Sequence, residues 1–294
     1  MQLLADDDVP AFAVAYREVP GGAVRDLRVH RVTASGLPSG LQALFVTSDL
    51  QGYADGPRGA ELAGIAVAEA MGRYADERGV DRARLGVLLA GDLFAGADEK
   101  QRAIVGDVRP VWRAFAQRAA FVAGVAGNHD AFGANADDVR AFASEPGLAL
   151  LDPGMHGLAV AAEFAGLRVA GVSGIVGNPD RPWRRRHDDY IDAVAAAIGA
   201  DPHVLLLHQN PALPGVRRDE LSRLTQVLAA AGNGVVVFGH AYSPAPRFAL
   251  GRCQLLATEG RAFWVEAIAS GGDAPDGGSP DGDAPDVGWG SGAG

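Results

Sequence analysis

The chain has 294 residues, 48% of them hydrophobic, and a single cysteine, Cys253. That size and apolar fraction suit one large α/β domain or two small ones; the lone cysteine excludes an intrachain disulfide and a thiolate metal cluster, and apolar runs broken well before roughly 20 residues argue against a membrane helix. Half of the formal net charge of −10 comes from five aspartates between Gly271 and Gly294, so the remainder is only mildly acidic, which disfavours broad nucleic-acid binding without excluding a local basic groove.

Met1 to Asp8 lacks the basic start and apolar block of a signal peptide, so a cytoplasmic location is expected. Phe12 to Tyr16 and Leu27 to Val32 alternate around Pro20-Gly21-Gly22 and predict a hairpin in an amino-terminal extension, residues 1–40. Leu41 to Ser48 predicts a strand ending in Asp49-Leu50-Gln51, followed by a long helix from Gly59 to Arg78. Leu85 to Ala90 predicts the next strand, ending in Gly91-Asp92. A helix around Val108 to Ala119 precedes a third strand, Val122 to Ala126, which ends in Gly127-Asn128-His129-Asp130, and a helix near Asn135 to Ser144 follows. Strand, polar tip and helix, three times over, predict parallel strands with their tips along one sheet edge.

Short strands over Leu148–Leu151, Leu158–Phe164 and Leu167–Val172 are expected to meander into a second sheet. The loop from Ser173 to His187 carries Arg184, Arg185, Arg186 and His187 ahead of a helix from Asp188 to Ile198. The arginines are read either as a solvated helix start or as forks for a substrate phosphate. Val204 to Leu207 ends in His208, and Gly234 to Phe238 ends in Gly239-His240-Ala241-Tyr242, with a helix near Asp219–Ala231 between them. Arg247–Leu250, Gln254–Ala257 and Phe263–Ala267 are expected to close the domain as antiparallel strands. Residues 270–294, rich in Gly, Asp and Pro, are expected to be a disordered tail.

Five apolar strands thus end in Asp49, Asp92, Asn128 with His129, His208 and His240. Carboxylate, amide and imidazole together suit one or two divalent ions such as manganese, iron or zinc, and two such ions about 3.5–4 Å apart clamp a phosphate and activate water. The expected chemistry is hydrolysis of a small-molecule phosphoester.

In their order, the blocks Asp49-Leu50-Gln51, Gly91-Asp92, Gly127-Asn128-His129-Asp130, His208 and Gly239-His240-Ala241-Tyr242 resemble the calcineurin-like metallophosphoesterase superfamily over roughly Leu44 to Tyr242, within a domain expected to span residues 41–269. The resemblance implies a four-layer α/β/β/α sandwich, two mixed sheets flanked by helices. It implies that Asp92 bridges two ions, that Asn128, His208 and His240 complete the second site, that Asp49 belongs to the first, and that His129 contacts the phosphate and protonates the leaving group. Two positions depart from the family pattern, Gln51 and Tyr242 standing where it has imidazoles of the first site. Gln51 either offers a carbonyl oxygen or hydrogen-bonds a ligand; Tyr242 either offers a phenolate to a strongly acidic ion or serves packing or substrate. Three readings follow: a hydrolase with a weakened first site, a one-metal enzyme, and a binding or scaffold module that has lost catalysis.

Overall fold

The computed structural model describes residues 1–6, 9–57, 59–97, 104–212, 221–232 and 234–268. The tail expected over 270–294 lies outside these residues. In chain order come β1 (Gln2–Asp6), β2 (Phe12–Arg17), β3 (Val24–Ser35), β4 (Ala43–Thr47), β5 (Tyr53–Gly56), β6 (Gly59–Leu62) and α1 (Ala63–Glu77). Next are β7 (Leu85–Leu89), β8 (Gly106–Asp107), α2 (Arg109–Ala116), β9 (Phe121–Gly124), β10 (Asp130–Ala131), α3 (Ala136–Ala143) and β11 (Leu148–Leu150). The second half runs β12 (Ala161–Phe164), β13 (Leu167–Val172), β14 (Ile175–Val176), β15 (Arg184–Arg185), α4 (His187–Gly199), β16 (Val204–Leu207), α5 (Ser222–Ala230), β17 (Gly234–Phe238), β18 (Arg247–Leu250), β19 (Cys253–Ala257) and β20 (Ala262–Ala267).

The protein is a mixed α/β sandwich, as the alternation of apolar strands and helices predicted. Its first sheet has the order β11-β9-β7-β4-β20-β3-β2-β5-β6, with β1 paired to β3; the second runs β12-β13-β16-β17-β19-β18. Strands β4, β7 and β9 are mutually parallel neighbours, so their carboxyl ends share one edge. Every residue of these three strands is buried, as expected of parallel strands covered on both faces.

Three apolar cores hold the elements together. Val67, Met71, Val111, Trp112 and Phe142 of α1, α2 and α3 pack on Phe45, Val87 and Trp264 of the first sheet. Leu44, Val46 and Phe263 of that sheet meet Val169, Leu206 and Val237 of the second. Tyr190, Val194, Leu224 and Leu228 of α4 and α5 cover Leu205, Val236 and Leu255 on the far side of the second sheet.

Several elements differ from the sequence reading. Strands β2 and β3 do pair as a hairpin, but β3 also pairs in parallel with β20. Its Leu27 and Val29 join the helix-facing core while Val32 and Ala34 join the core between the sheets. A strand with both faces buried belongs inside a sheet. The stretch from Gly59 to Leu62 is a strand against β5, not the first turn of the helix, because Gly59 sits at φ +110, outside the helical region. Strand β11 joins the first sheet beside β9, and β20 is inserted into the first sheet between β3 and β4.

Candidate metal centre

The strand tips are bent sharply inward. Asp49, Asp92 and His240 adopt left-handed φ values of 52, 53 and 71, a backbone state that costs a non-glycine residue on the order of 1–3 kcal/mol and persists only when its surroundings enforce it. Glycines supply the space: a side chain on Gly127 would overlap the Asp92 carboxylate, and one on Gly239 would overlap that of Asp49.

Asp92 is the hub. Its Oδ1 accepts the His129 backbone N–H at 2.9 Å, its Oδ2 accepts the Gln51 amide at 3.1 Å, and Nε2 of fully buried His208 lies 3.3 Å from that same oxygen. Burial alone would raise the pKa of Asp92, but His208 beside it reverses this and holds the carboxyl below its ordinary value. The imidazole answers in kind. Burial opposes its charge, yet Asp92, with Asp49 behind it, pushes it up to about 9. The His208 Nδ1 is fixed by the Ala90 carbonyl at 2.8 Å, so Nε2 is the nitrogen left to face the site. Asp49 is lifted by burial to about 7, with His208 opposing and Asp92 adding to the rise.

Asp92, His208 and His240 bring one ligand atom each within 4.8 Å of one another. The Oδ1 of buried Asn128, the residue after Gly127 at the β9 tip, has no hydrogen-bond partner. An orphaned buried polar atom costs roughly 1–3 kcal/mol, and that amide oxygen, with the carboxylate and two imidazoles of the cluster, makes up a donor set suited to a divalent ion. The residues of the second site therefore fit a metal.

Those of the first fit poorly. Asp49 Oδ2 is occupied by the Ser48 hydroxyl and by the His240 N–H at 3.1 Å. Gln51 turns its N–H toward Asp92, since a carboxylate oxygen only accepts. Tyr242 is 68% exposed, its ring lying under the Arg261 guanidinium, 5.4 Å from the ring centroid.

Above these groups opens a cleft of about 520 Å³ whose walls include Asp49, Gln51, Asp92, His129, His240 and Tyr242. The half-buried His129 has its Nδ1 3.2 Å from the Ile104 carbonyl. None of Arg184, Arg185, Arg186 or His187 lines this cleft. Arg185 is instead buried, its fork on Asp152 with further bonds to the Ser173 and Pro153 carbonyls, and His187 pairs with Asp188 at 3.3 Å. Arg185→Ala is therefore expected to cost about 3–5 kcal/mol of stability by stranding Asp152. Urea unfolding measures this; a loss of substrate affinity at unchanged stability would return the arginine to the site.

Two sets of residues escaped the sequence. Asp130 accepts the backbone N–H groups of Asp92, Leu93 and Gly127 at 2.9, 2.8 and 2.7 Å, tying the tips of β7 and β9 together, and Trp183 donates its indole N–H to the Asp130 carbonyl at 2.8 Å. A buried aspartate after a tip was readable as a turn residue, but nothing local marks which amides it binds. The cleft is also lined by Tyr16, Glu18 and Arg25 from the β2–β3 hairpin and by Glu259 and Arg261 ahead of β20. Only long-range pairing of β3 with β20 brings them there.

The fold is similar to that of a solved protein, TT1561 of Thermus thermophilus, with a TM-score of 0.52 and 15% identity over 74% of this chain and 89% of that one. At this identity the likeness is one of fold. No family model matches the sequence, and no curated protein does. Among the described residues no helix is long and apolar enough to cross a membrane.

Proposed function

We propose that the chain is a metal-dependent phosphoester hydrolase of the calcineurin-like type, acting on a small phosphomonoester or phosphodiester. The observation that carries this reading is the convergence of Asp92, His208 and His240, two of which line an open cleft, together with an Asn128 amide oxygen left without a hydrogen-bond partner. A manganese, iron or zinc ion held there by Asp92, Asn128, His208 and His240 would supply Lewis-acid charge to a phosphoryl oxygen and acidify bound water. With Asp49 Oδ2 holding Ser48 and His240, Gln51 donating to Asp92 and Tyr242 set against Arg261, the reading is one firmly held ion per chain.

The chain's own side chains supply the rest. His129 lines the cleft with its backbone held by Asp92 and its Nδ1 engaged by Ile104, so Nε2 is the nitrogen free to meet the phosphate and protonate the departing alcohol. Asp130 fixes the backbone under both Asp92 and Asn128. Gln51 steadies Asp92. The cleft has more room than a phosphate group needs, which leaves space for an organic leaving group.

Metal binding must be linked to protons. With His208 held protonated up to about 9, each ion bound at neutral pH displaces its proton, and affinity should strengthen about tenfold per pH unit between pH 6 and 8. Competition with a metallochromic chelator measures this; affinity that is flat with pH would mean that His208 is no ligand.

A second reading, a binding module without catalysis, is favoured by Gln51 and Tyr242 in place of imidazoles. Hydrolysis of aryl phosphate monoesters and diesters with and without added manganese, and after chelation, separates the two. Metal-stimulated turnover abolished by chelator is expected; no turnover with manganese, iron or zinc would favour the binding module.

A further inference from the structure

The lining of the cleft carries a feature that the hydrolytic chemistry does not use. Tyr242 is the only exposed aromatic side chain among the described residues, and it borders the cleft two residues after His240, within about 7 Å of chain. One face of its ring is covered by Arg261. That guanidinium is itself anchored, donating from Nη2 to the Ser243 carbonyl at 2.7 Å, and its backbone is fixed by the Thr47 hydroxyl on its carbonyl at 3.0 Å. An aromatic ring kept in water beside a site, with a cation fixed on one face and the cleft beside it, is arranged to receive another flat group. The lining around them is polar: Glu259 is two residues before Arg261, and in the β2–β3 hairpin Glu18 pairs with Arg25 at 2.9 Å.

We infer that Tyr242 and Arg261 form a stacking platform that selects phosphoesters whose leaving alcohol carries a flat ring with hydrogen-bonding edges, as a nucleobase does. The inference rests on the hydrolase reading and adds the substrate class to it. The metal centre holds the phosphoryl group, the platform receives the ring, and Glu259, in the lining of the same cleft, supplies an acceptor for the donors on its edge. The departure from the imidazole of the family pattern at Tyr242 then has a use: the position trades a metal ligand for a substrate contact. Because the ring is mostly in water, replacing it costs the fold little.

The test is steady-state kinetics with manganese on the full chain, Tyr242→Ala and Tyr242→Phe, using a nucleoside, a plain aryl and a glycerol phosphoester in whichever ester form the wild type hydrolyses. Stacking on one side chain is worth about tenfold or more in affinity. For Tyr242→Ala, KM for the nucleoside ester should rise about tenfold relative to the glycerol ester with kcat within about twofold, and Tyr242→Phe should retain the wild-type preference. An equal change for all three substrates, or none, overturns the platform while leaving the hydrolase reading intact. A preference that follows the plain aryl ester and not the nucleoside overturns the polar-edged ring. A wild type that hydrolyses none of the three overturns the hydrolase reading, and the platform falls with it.

Discussion

Asp92→Asn is expected to lower turnover by at least about 10³-fold and to reduce bound metal from about one ion per chain to near zero. The substitution preserves size and leaves an oxygen for the His129 N–H, so the fold should survive it. What it removes is the charge. Asp92 is the carboxylate beside His208 that raises its pKa and, among the described residues, the only carboxylate in the cluster of candidate ligands. Several kcal/mol of transition-state charge stabilisation attach to a bound ion, and each 1.36 kcal/mol is tenfold in rate. Elemental analysis and turnover on the same sample measure both effects. A variant that kept its ion and its rate would remove Asp92 from the centre.

His129→Ala should lose about 10²- to 10⁴-fold in turnover, the usual worth of a positioned acid, while keeping its metal. The two losses separate because the hydrogen bond from His129 to the cluster is made by its backbone N–H, which the alanine variant retains, whereas its ring is bonded to the Ile104 carbonyl. The deficit should be smaller for esters with a better leaving group, since these need less protonation. A His129→Ala protein that arrives without metal would show that the imidazole is a ligand.

The sequence displayed the centre more openly than its surroundings. Parallel strands buried on both faces must be continuously apolar, so each of β4, β7, β16 and β17 stops visibly at the residue where polar chemistry begins, and Gly91, Gly127 and Gly239 mark where chain and side chain crowd. The cleft wall was hidden because its residues are distant in sequence: Arg25 and Arg261 meet the same space only through the pairing of β3 with β20. The arginine run was ambiguous for a related reason. In the two-residue strand β15, Arg185 turns inward to Asp152 while Arg184 is only half buried, and three identical residues in a row carry no sign of which one will do so. Gln51 could be read as ligand or as hydrogen-bond partner; only the position of Asp92 Oδ2, 3.1 Å from its amide nitrogen, decides that it donates.

A catalytic metal held by the strand tips, as proposed, must be present in the protein itself, so metal content per chain, measured on protein purified without chelators, is the deciding measurement. About one divalent ion per chain, lost in Asp92→Asn and retained in His129→Ala, is the predicted result. A wild-type chain that holds no manganese, iron or zinc, and takes up none on addition at pH 8, would contradict it.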